Sequence, residues 1–356
     1  MADGKTKRAE HRAARVKLSD VAAASGVHYS TVSRVLRPGA KGRISDDVAE
    51  RVRSVAKELG YHPNSIAASL RTQSTRSIGL IVHDMNDPVY PPILSGIEDA
   101  LSPQGFAVLV SNTGYDLNVE LDIVNRMAAR LVDGIFLATT RLQDPVVERC
   151  QELGIPLVSV LRQTEQETSP AVVNDCYGGM RVMTEHVLAS GFRDIAVILA
   201  PQYLSTARER WHGIKDTLDQ AGVALPDHRI VAVPRMSVKE GKRATETLLT
   251  AGESRPDVII CVNDLVAIGA IRACREVGLS IPSDVSITGY NDIPLLDMIN
   301  PALTTVRMQL HEIGKAAGQV MLAQFEGQPV TPMTQRVGCA LLVRGSLGQK
   351  SESQPT

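Results

Sequence analysis

From Ser77 onward the chain repeats one pattern, and that pattern restricts the folds open to it. Four short apolar runs, "SIGLIVH", "FAVLVSN", "VDGIFLA" and "IPLVSV", recur at intervals of roughly 25 residues. Amphipathic segments lie between them: "PPILSGIEDALSPQG", "LDIVNRMAARL" and "PVVERCQELG". Runs that are apolar on both faces belong to a parallel sheet covered by crossover helices. The alternation restarts after "AVVND". "GGMRVMTEHVLASG" reads as a helix and "DIAVILA" as a strand, and further helix and strand pairs follow through "RIVAV", "PDVIICV" and "VSITGY". Two successive α/β runs predict two lobes with a cleft between them. Ligands of such sheets bind beyond the carboxyl ends of the strands.

The first sixty residues obey a different rule and read as helices only. "LSDVAAASG" is a short helix ending at the Gly26 turn, and "YSTVSRVL" is a second. "SDDVAERVRSVAKELG" is a third, with Ser45 at the N-cap, Asp46 and Asp47 at the positive helix end, and Gly60 as its stop. Val48, Val52, Val55 and Leu59 recur at helical spacing and predict one buried stripe. Three short helices with a tight turn between the first two make a helix-turn-helix arrangement.

Charge separates the same two regions. Residues 1–76 hold 15 Lys and Arg against 7 Asp and Glu, a net +8, whereas the remainder nets −9. A basic head on an acidic body suggests that the head meets a polyanion. No run of 18 apolar residues predicts a membrane span, and "MADGKTKRAEHRAARV" lacks the apolar stretch of a secretory signal. Five scattered cysteines, never in a CxxC pair, argue against a disulfide framework and a zinc site and fit a cytoplasmic protein.

Catalytic motifs are missing. There is no GxGxxG after a strand, no GxxxxGK[ST] and no GxSxG. "HEIGK" at His311 fails HExxH because Lys315 occupies the second histidine position, and "SVAK" at Ser54 lies within the amphipathic third helix. An enzyme reading has no positive support, and no cofactor or metal is expected.

The chemistry of the head is concentrated in "GVHYSTVSRVL". Tyr29, Ser30, Thr31, Ser33 and Arg34 form the polar side of the second helix, and Val32, Val35 and Leu36 form the other. A helix of this size fits the major groove. Tyr29 and Ser30 at its start can reach base edges, Arg34 can make a bidentate contact to guanine, and Thr31 and Ser33 suit phosphate oxygens. Downstream, Pro63 breaks the third helix and Asn64 can cap a short segment, "NSIAASLR". Its small residues, Ala67 among them, let two copies approach closely. Leu70 stands at its end as an apolar wedge of the kind that opens the minor groove, and Arg71 can neutralise phosphate.

With these stretches the chain resembles the lactose-repressor (LacI/GalR) family of bacterial transcription regulators. The resemblance runs from about Lys17 to Gly345 and is carried by "LSDVAAASGVHYSTVSRVL", "ISDDVAERVRSVAKELGYHPN", "NDPVYPPILSGIEDAL", "RLVDGIFL", "VVNDCYGGM", "RERWHGI" and "CVNDLVAIGAIRACREVGLSIPSDVSITGYNDI". It implies an N-terminal all-α helix-turn-helix domain plus an α/β, two-lobed, periplasmic-binding-protein-like (type I) core with parallel sheets. It also implies a repressor that binds a pseudo-palindromic double-stranded operator as a homodimer and answers to a small-molecule effector. The expected division is a basic, disordered arm over 1–16, a DNA-binding domain over 17–62, a hinge helix and linker over 63–76, an effector-binding core over 77–345 and a disordered tail over 346–356. Within the core, the N-lobe is expected over about 77–174 and 293–325 and the C-lobe over about 175–292 and 326–345.

By the same resemblance Tyr29, Ser30 and Arg34 read bases and Leu70 is the minor-groove wedge. Tyr90, Arg162, Arg210, Asp264 and Asp292 are the expected effector contacts, with Tyr203 and Trp211 as further aromatic platforms. Asp175 and Asp292 stand near the crossovers between the lobes, with a structural and a ligand role open for both. Two departures from the family pattern bear on function. His28 stands where a serine usually caps the recognition helix, which predicts a weaker cap and a phosphate contact sensitive to pH. Leu161 replaces an aspartate beside Arg162, which makes the cleft more cationic. The effector classes are a sugar, a sugar acid or a sugar phosphate, with a lean toward the acidic ones because arginine forks match carboxylate and phosphate. Control by a protein co-effector or a nucleobase is the alternative, and a sugar-binding receptor without a DNA role is a further one.

Overall fold

The computed structural model describes residues 16–36, 44–61, 74–251 and 254–350. The arm expected over 1–16, save Val16, and the hinge helix with Asn64, Ala67, Leu70 and Arg71 lie outside the described residues. The chain divides into two compact units, Met1–Thr75 and Arg76–Thr356.

The smaller unit holds α1 (Leu18–Ser25), α2 (Tyr29–Val35) and α3 (Asp46–Glu58). Gly26 ends α1 with φ 67°, a conformation open to glycine without cost. The Val27 N–H then reaches back to the Ala22 carbonyl at 3.2 Å. That turn brings α2 across α1, and Val21, Ala22, Val32, Val52 and Ala56 bury together. The stripe of α3 differs from expectation by a small rotation. Ala49, Val52 and Ala56 are buried, Val48 and Val55 pack at the edge, and Leu59 is 39% exposed. Leu59 is the C-cap residue, beyond the last turn that faces the core. Ser45 holds the N-cap position but makes no side-chain cap bond.

The larger unit contains two parallel sheets. The first has six strands in the order β11-β5-β4-β3-β1-β2: β1 (Ser77–Val82), β2 (Ala107–Asn112), β3 (Gly134–Leu137), β4 (Leu157–Leu161), β5 (Ala171–Asn174) and β11 (Thr334–Val337). The second has four in the order β7-β6-β8-β9: β6 (Ile195–Leu199), β7 (Ile230–Ala232), β8 (Val258–Cys261) and β9 (Ser286–Thr288). Helices α4 (Tyr90–Leu101), α5 (Leu117–Ala129) and α6 (Pro145–Glu152) serve the first sheet. Helices α7 (Cys176–Ala189), α8 (Ser205–Gln220), α9 (Val238–Thr250) and α10 (Asp264–Glu276) serve the second. After β10 (Thr305–Met308), α11 (Leu310–Phe325) returns to pack on α4. The two helix backbones meet at Gly96 and Gly314, where a Cβ on either would collide with a carbonyl of the other helix.

Two expected boundaries need correction. Strand β11 pairs with β5 in the first sheet, so residues 334–337 belong to the N-lobe and not to the C-lobe. The chain then recrosses and forms β12 (Cys339–Leu342), which pairs antiparallel with β10. The tail expected to be disordered from 346 is ordered to Lys350. Ser346 Oγ donates to the Ile287 carbonyl at 2.6 Å, the Ile287 N–H donates to the Ser346 carbonyl at 2.9 Å, and Leu347 is buried. Its polar composition conceals that it satisfies backbone groups at the free edge of β9.

Candidate functional site

Helix α2 presents the polar side that its sequence specifies. Tyr29 is 59% exposed and Arg34 is exposed; Ser30, Thr31 and Ser33 are half-buried, and Val32 lies in the core. His28 holds the cap position through one long bond. His28 Nδ1 accepts the Ser30 N–H at 3.4 Å and lies 2.8 Å from Ser30 Oγ. An Nδ1 that accepts leaves the ring proton on Nε2, so the imidazole stands in the place of a serine hydroxyl at a longer distance. The same bond fixes Ser30 at the start of the helix, where a groove-binding helix makes its base contacts.

An open cleft lies at the carboxyl ends of both parallel sheets. Its polar lining is Asp87, Arg162, Thr206, Arg210, Asn263 and Asn291, and its apolar lining is Val89, Tyr90, Leu161, Met236 and Met308. These residues end or follow β1, β4, β7, β8, β9 and β10 or lie in the first two turns of α4 and α8, which is where the topology directs strand ends.

One wall is organised around His83, just past β1. Its ring stacks on Tyr115 at 4.6 Å, and its Nε2 lies 2.8 Å from Arg162 Nη1. Arginine can only donate, so Nε2 accepts and the proton sits on Nδ1, 3.4 Å from Thr113 Oγ1. Burial, reinforced by Arg162 and Arg141, lowers the His83 pKa from 6.5 to about 2. The partner of Arg162 is therefore neutral. Arg162 itself is only 6% exposed, and Leu161 before it takes φ 69°, a left-handed conformation that a branched apolar residue rarely adopts. Asp87 is the carboxylate of the cleft lining. Burial raises its pKa, against a 3.2 Å hydrogen bond from the Val89 N–H and the field of Arg162.

The opposite wall centres on Arg210 of α8, 5% exposed. Its Nη1 donates to the Val262 carbonyl at 2.8 Å and its Nη2 to Asn291 Oδ1 at 3.2 Å. The guanidinium lies 3.8 Å from the centroid of the Tyr290 ring, whose hydroxyl accepts from Asn174 Nδ2 at 2.6 Å. Asn174 ends the N-lobe sheet and Tyr290 follows the C-lobe sheet, so Arg210 sits on a pin between the lobes. Its Nε is buried without a hydrogen-bond partner.

Of the expected effector residues, Tyr90, Arg162 and Arg210 line this cleft, and Asp264 and Asp292 do not. Asp264 is fully buried: Oδ1 accepts from Thr305 Oγ1 at 2.6 Å and Oδ2 from the Ile293 N–H at 3.0 Å. Asp292 bridges Arg307 and Arg344, each at 2.7 Å. In "VND" and "YND" the cleft receives the asparagine, Asn263 or Asn291, and successive side chains point apart, so the aspartate turns inward. Tyr203 is exposed, and Trp211 packs against the core. Asp175 caps α7 through a 2.9 Å bond from the Gly178 N–H. Asp87 is a cleft residue that sequence reasoning misses even within "NDPVY", because a lone carboxylate in a loop carries no periodicity. Among the described residues no cluster of His, Cys, Asp and Glu could hold a metal ion.

A helix-turn-helix head with an outward polar helix, together with a two-lobed ligand-binding core, defines a sequence-specific DNA-binding transcriptional regulator. Residues 17–64 match the model of bacterial regulatory proteins of the lacI family, and residues 184–347 match the periplasmic binding protein-like domain. The ribose operon repressor of Halalkalibacterium halodurans is 32% identical over 340 residues, which cover 94% of this chain and 99% of that protein. The chain belongs to the lacI family. The lac repressor dimer bound to operator and the anti-inducer ONPF is 26% identical with a TM-score of 0.84, covering 94% of this chain and 99% of that one. A LacI family regulator from Enterococcus faecium with bound ribose is 26% identical with a TM-score of 0.67, covering 77% of this chain and 100% of that one. Such relatives are regulators of transcription, not enzymes.

Proposed function

We propose that the chain represses transcription as a C₂ homodimer on a pseudo-palindromic operator in the cytoplasm, under control of a sugar-class effector bound in the cleft at the strand ends. The observation that carries this reading is the convergence of Arg162, Arg210, Asn263 and Asn291 from both lobes on one cleft. The lac repressor and the ribose-bound regulator support it as relatives. Tyr29, Ser30 and Arg34 read bases and Thr31 and Ser33 hold phosphates; Asn64, Ala67, Leu70 and Arg71 continue the contact into the minor groove. The effector acts only through its different affinity for the two arrangements of the lobes.

The test is selection of duplexes from a random pool by the full chain, followed by affinity measurement on the selected sequence. Enrichment of an inverted repeat is expected, with Arg34→Ala weakening it by about 1–3 kcal/mol. A pool that stays random after repeated rounds contradicts the operator reading.

A further inference from the structure

We propose that the ligand of the cleft carries an anionic group, a carboxylate or a phosphate. This inference rests on the cleft being the effector site and narrows its chemistry. Its ground is a difference among the buried and half-buried arginines. Arg141 pairs with Glu120 at 2.9 Å, Arg229 with Asp194 at 2.7 Å and Arg344 with Asp292 at 2.7 Å. Arg141 and Arg344 are half-buried and Arg229 is buried; Arg162 and Arg210 are as deeply buried as Arg229, but their hydrogen-bond partners are a histidine ring, a main-chain carbonyl, an amide oxygen and a thioether. The molecule supplies carboxylates to the first three guanidiniums and leaves these two without one.

Asp87 does not close the balance. It is one carboxylate against two guanidiniums, it makes no ion pair within 4.0 Å among the described residues, and one of its oxygens accepts from the Val89 N–H. An unpaired charge in a water-poor site is costly, and a ligand oxyanion that pairs with it recovers that cost. Val89, Tyr90 and Met236 reduce the water around the pair, which strengthens such a contact. Beside Arg162, the position from which a neighbouring carboxylate could neutralise it is held by Leu161 in a left-handed conformation. Aspartate adopts that conformation more readily than leucine, so local backbone preference does not explain the leucine.

The experiment is calorimetric titration of the full chain with two matched pairs, D-ribose against D-ribose 5-phosphate and D-glucose against D-glucuronate, with inorganic phosphate as the ionic control. The expected result is that one anionic member binds about 10- to 100-fold tighter than its neutral partner, the scale of hydrogen bonds to charged groups. A preference within the ribose pair assigns a phosphate, and one within the glucose pair assigns a carboxylate. The preference should fall at least about tenfold in Arg162→Gln and in Leu161→Asp, since each removes the surplus charge. Thermal unfolding verifies that each variant is folded, and the aspartate suits its backbone. Equal or tighter binding of the neutral members overturns the inference and leaves the effector cleft standing, as does an anion preference unchanged by Leu161→Asp. Binding that survives both Arg162→Gln and Asn291→Ala, or no binding by any of the four sugars, overturns the effector reading with it.

Discussion

Asp264 shows how one side chain is committed to structure and not to ligand. Burial raises its pKa from 3.8 to about 6, although the bonds from Thr305 and Ile293 pull the other way. Between about pH 4 and 6 the folded chain therefore binds more protons at this site than the unfolded chain. Stability from this group is present below the window and is lost as pH rises through it, by up to about 3 kcal/mol. His83 has the opposite sign: its folded pKa of about 2 lies below 6.5, so its contribution is lost as pH falls through the range between them. Comparing Asp264→Asn with the parent chain cancels the histidine. The amide keeps an acceptor for the Ile293 N–H and can donate to the Thr305 hydroxyl. Urea unfolding at pH 4.5 and 7 should show the variant gaining on the parent by about 1–3 kcal/mol at the higher pH. An identical difference at both pH values contradicts the buried, proton-binding aspartate. The identity of this residue is legible in the sequence and its direction is not, because which of two adjacent side chains faces a cleft depends on the packed loop over it.

At the scale of the element, α2 and α11 carry the most direct tests. Replacing the cap, His28→Ala, should cost about 1 kcal/mol of stability in the smaller unit, and His28→Ser should recover it. Equal thermal midpoints for all three chains would show that the cap bond contributes nothing. Gly314→Ala forces a methyl against the Ile93 carbonyl and should destabilise the larger unit by about 1–3 kcal/mol, read by urea unfolding. The boundaries of α1 to α3 are readable from the sequence because Gly26 and Gly60, at φ 67° and 64°, stop helices for a local reason. Strand β11 and the segment after Arg344 are not. "TQRV" has no apolar run, and "SLGQK" reads as a polar tail until Ser346 and Leu347 meet the edge of β9. Elements completed by long-range partners leave little local trace.

The molecule as a whole separates two tasks along the chain, and the distribution of charge in the sequence already carries that division. A net +8 precedes the core and a net −9 belongs to it, so the polyanion contact and the small-molecule contact need not share a surface. The alternation of apolar runs is enough to specify two parallel sheets, and the position of strand ends is enough to specify where a ligand would sit. The recrossings of the chain leave no comparable signal because they are short and mixed in polarity. The Asn174–Tyr290–Arg210 pin places one cleft arginine where the lobes join, which gives a ligand on Arg210 a direct mechanical connection to lobe arrangement.

The decisive measurement is operator affinity by fluorescence anisotropy, on the selected inverted repeat, with and without a saturating concentration of the sugar that the cleft binds most tightly. The expected result is a change in the operator dissociation constant of at least about 5-fold, the lower range of allosteric coupling, that disappears in Arg162→Gln. An operator affinity unchanged by a ligand shown to occupy the cleft would contradict the coupling of the two sites.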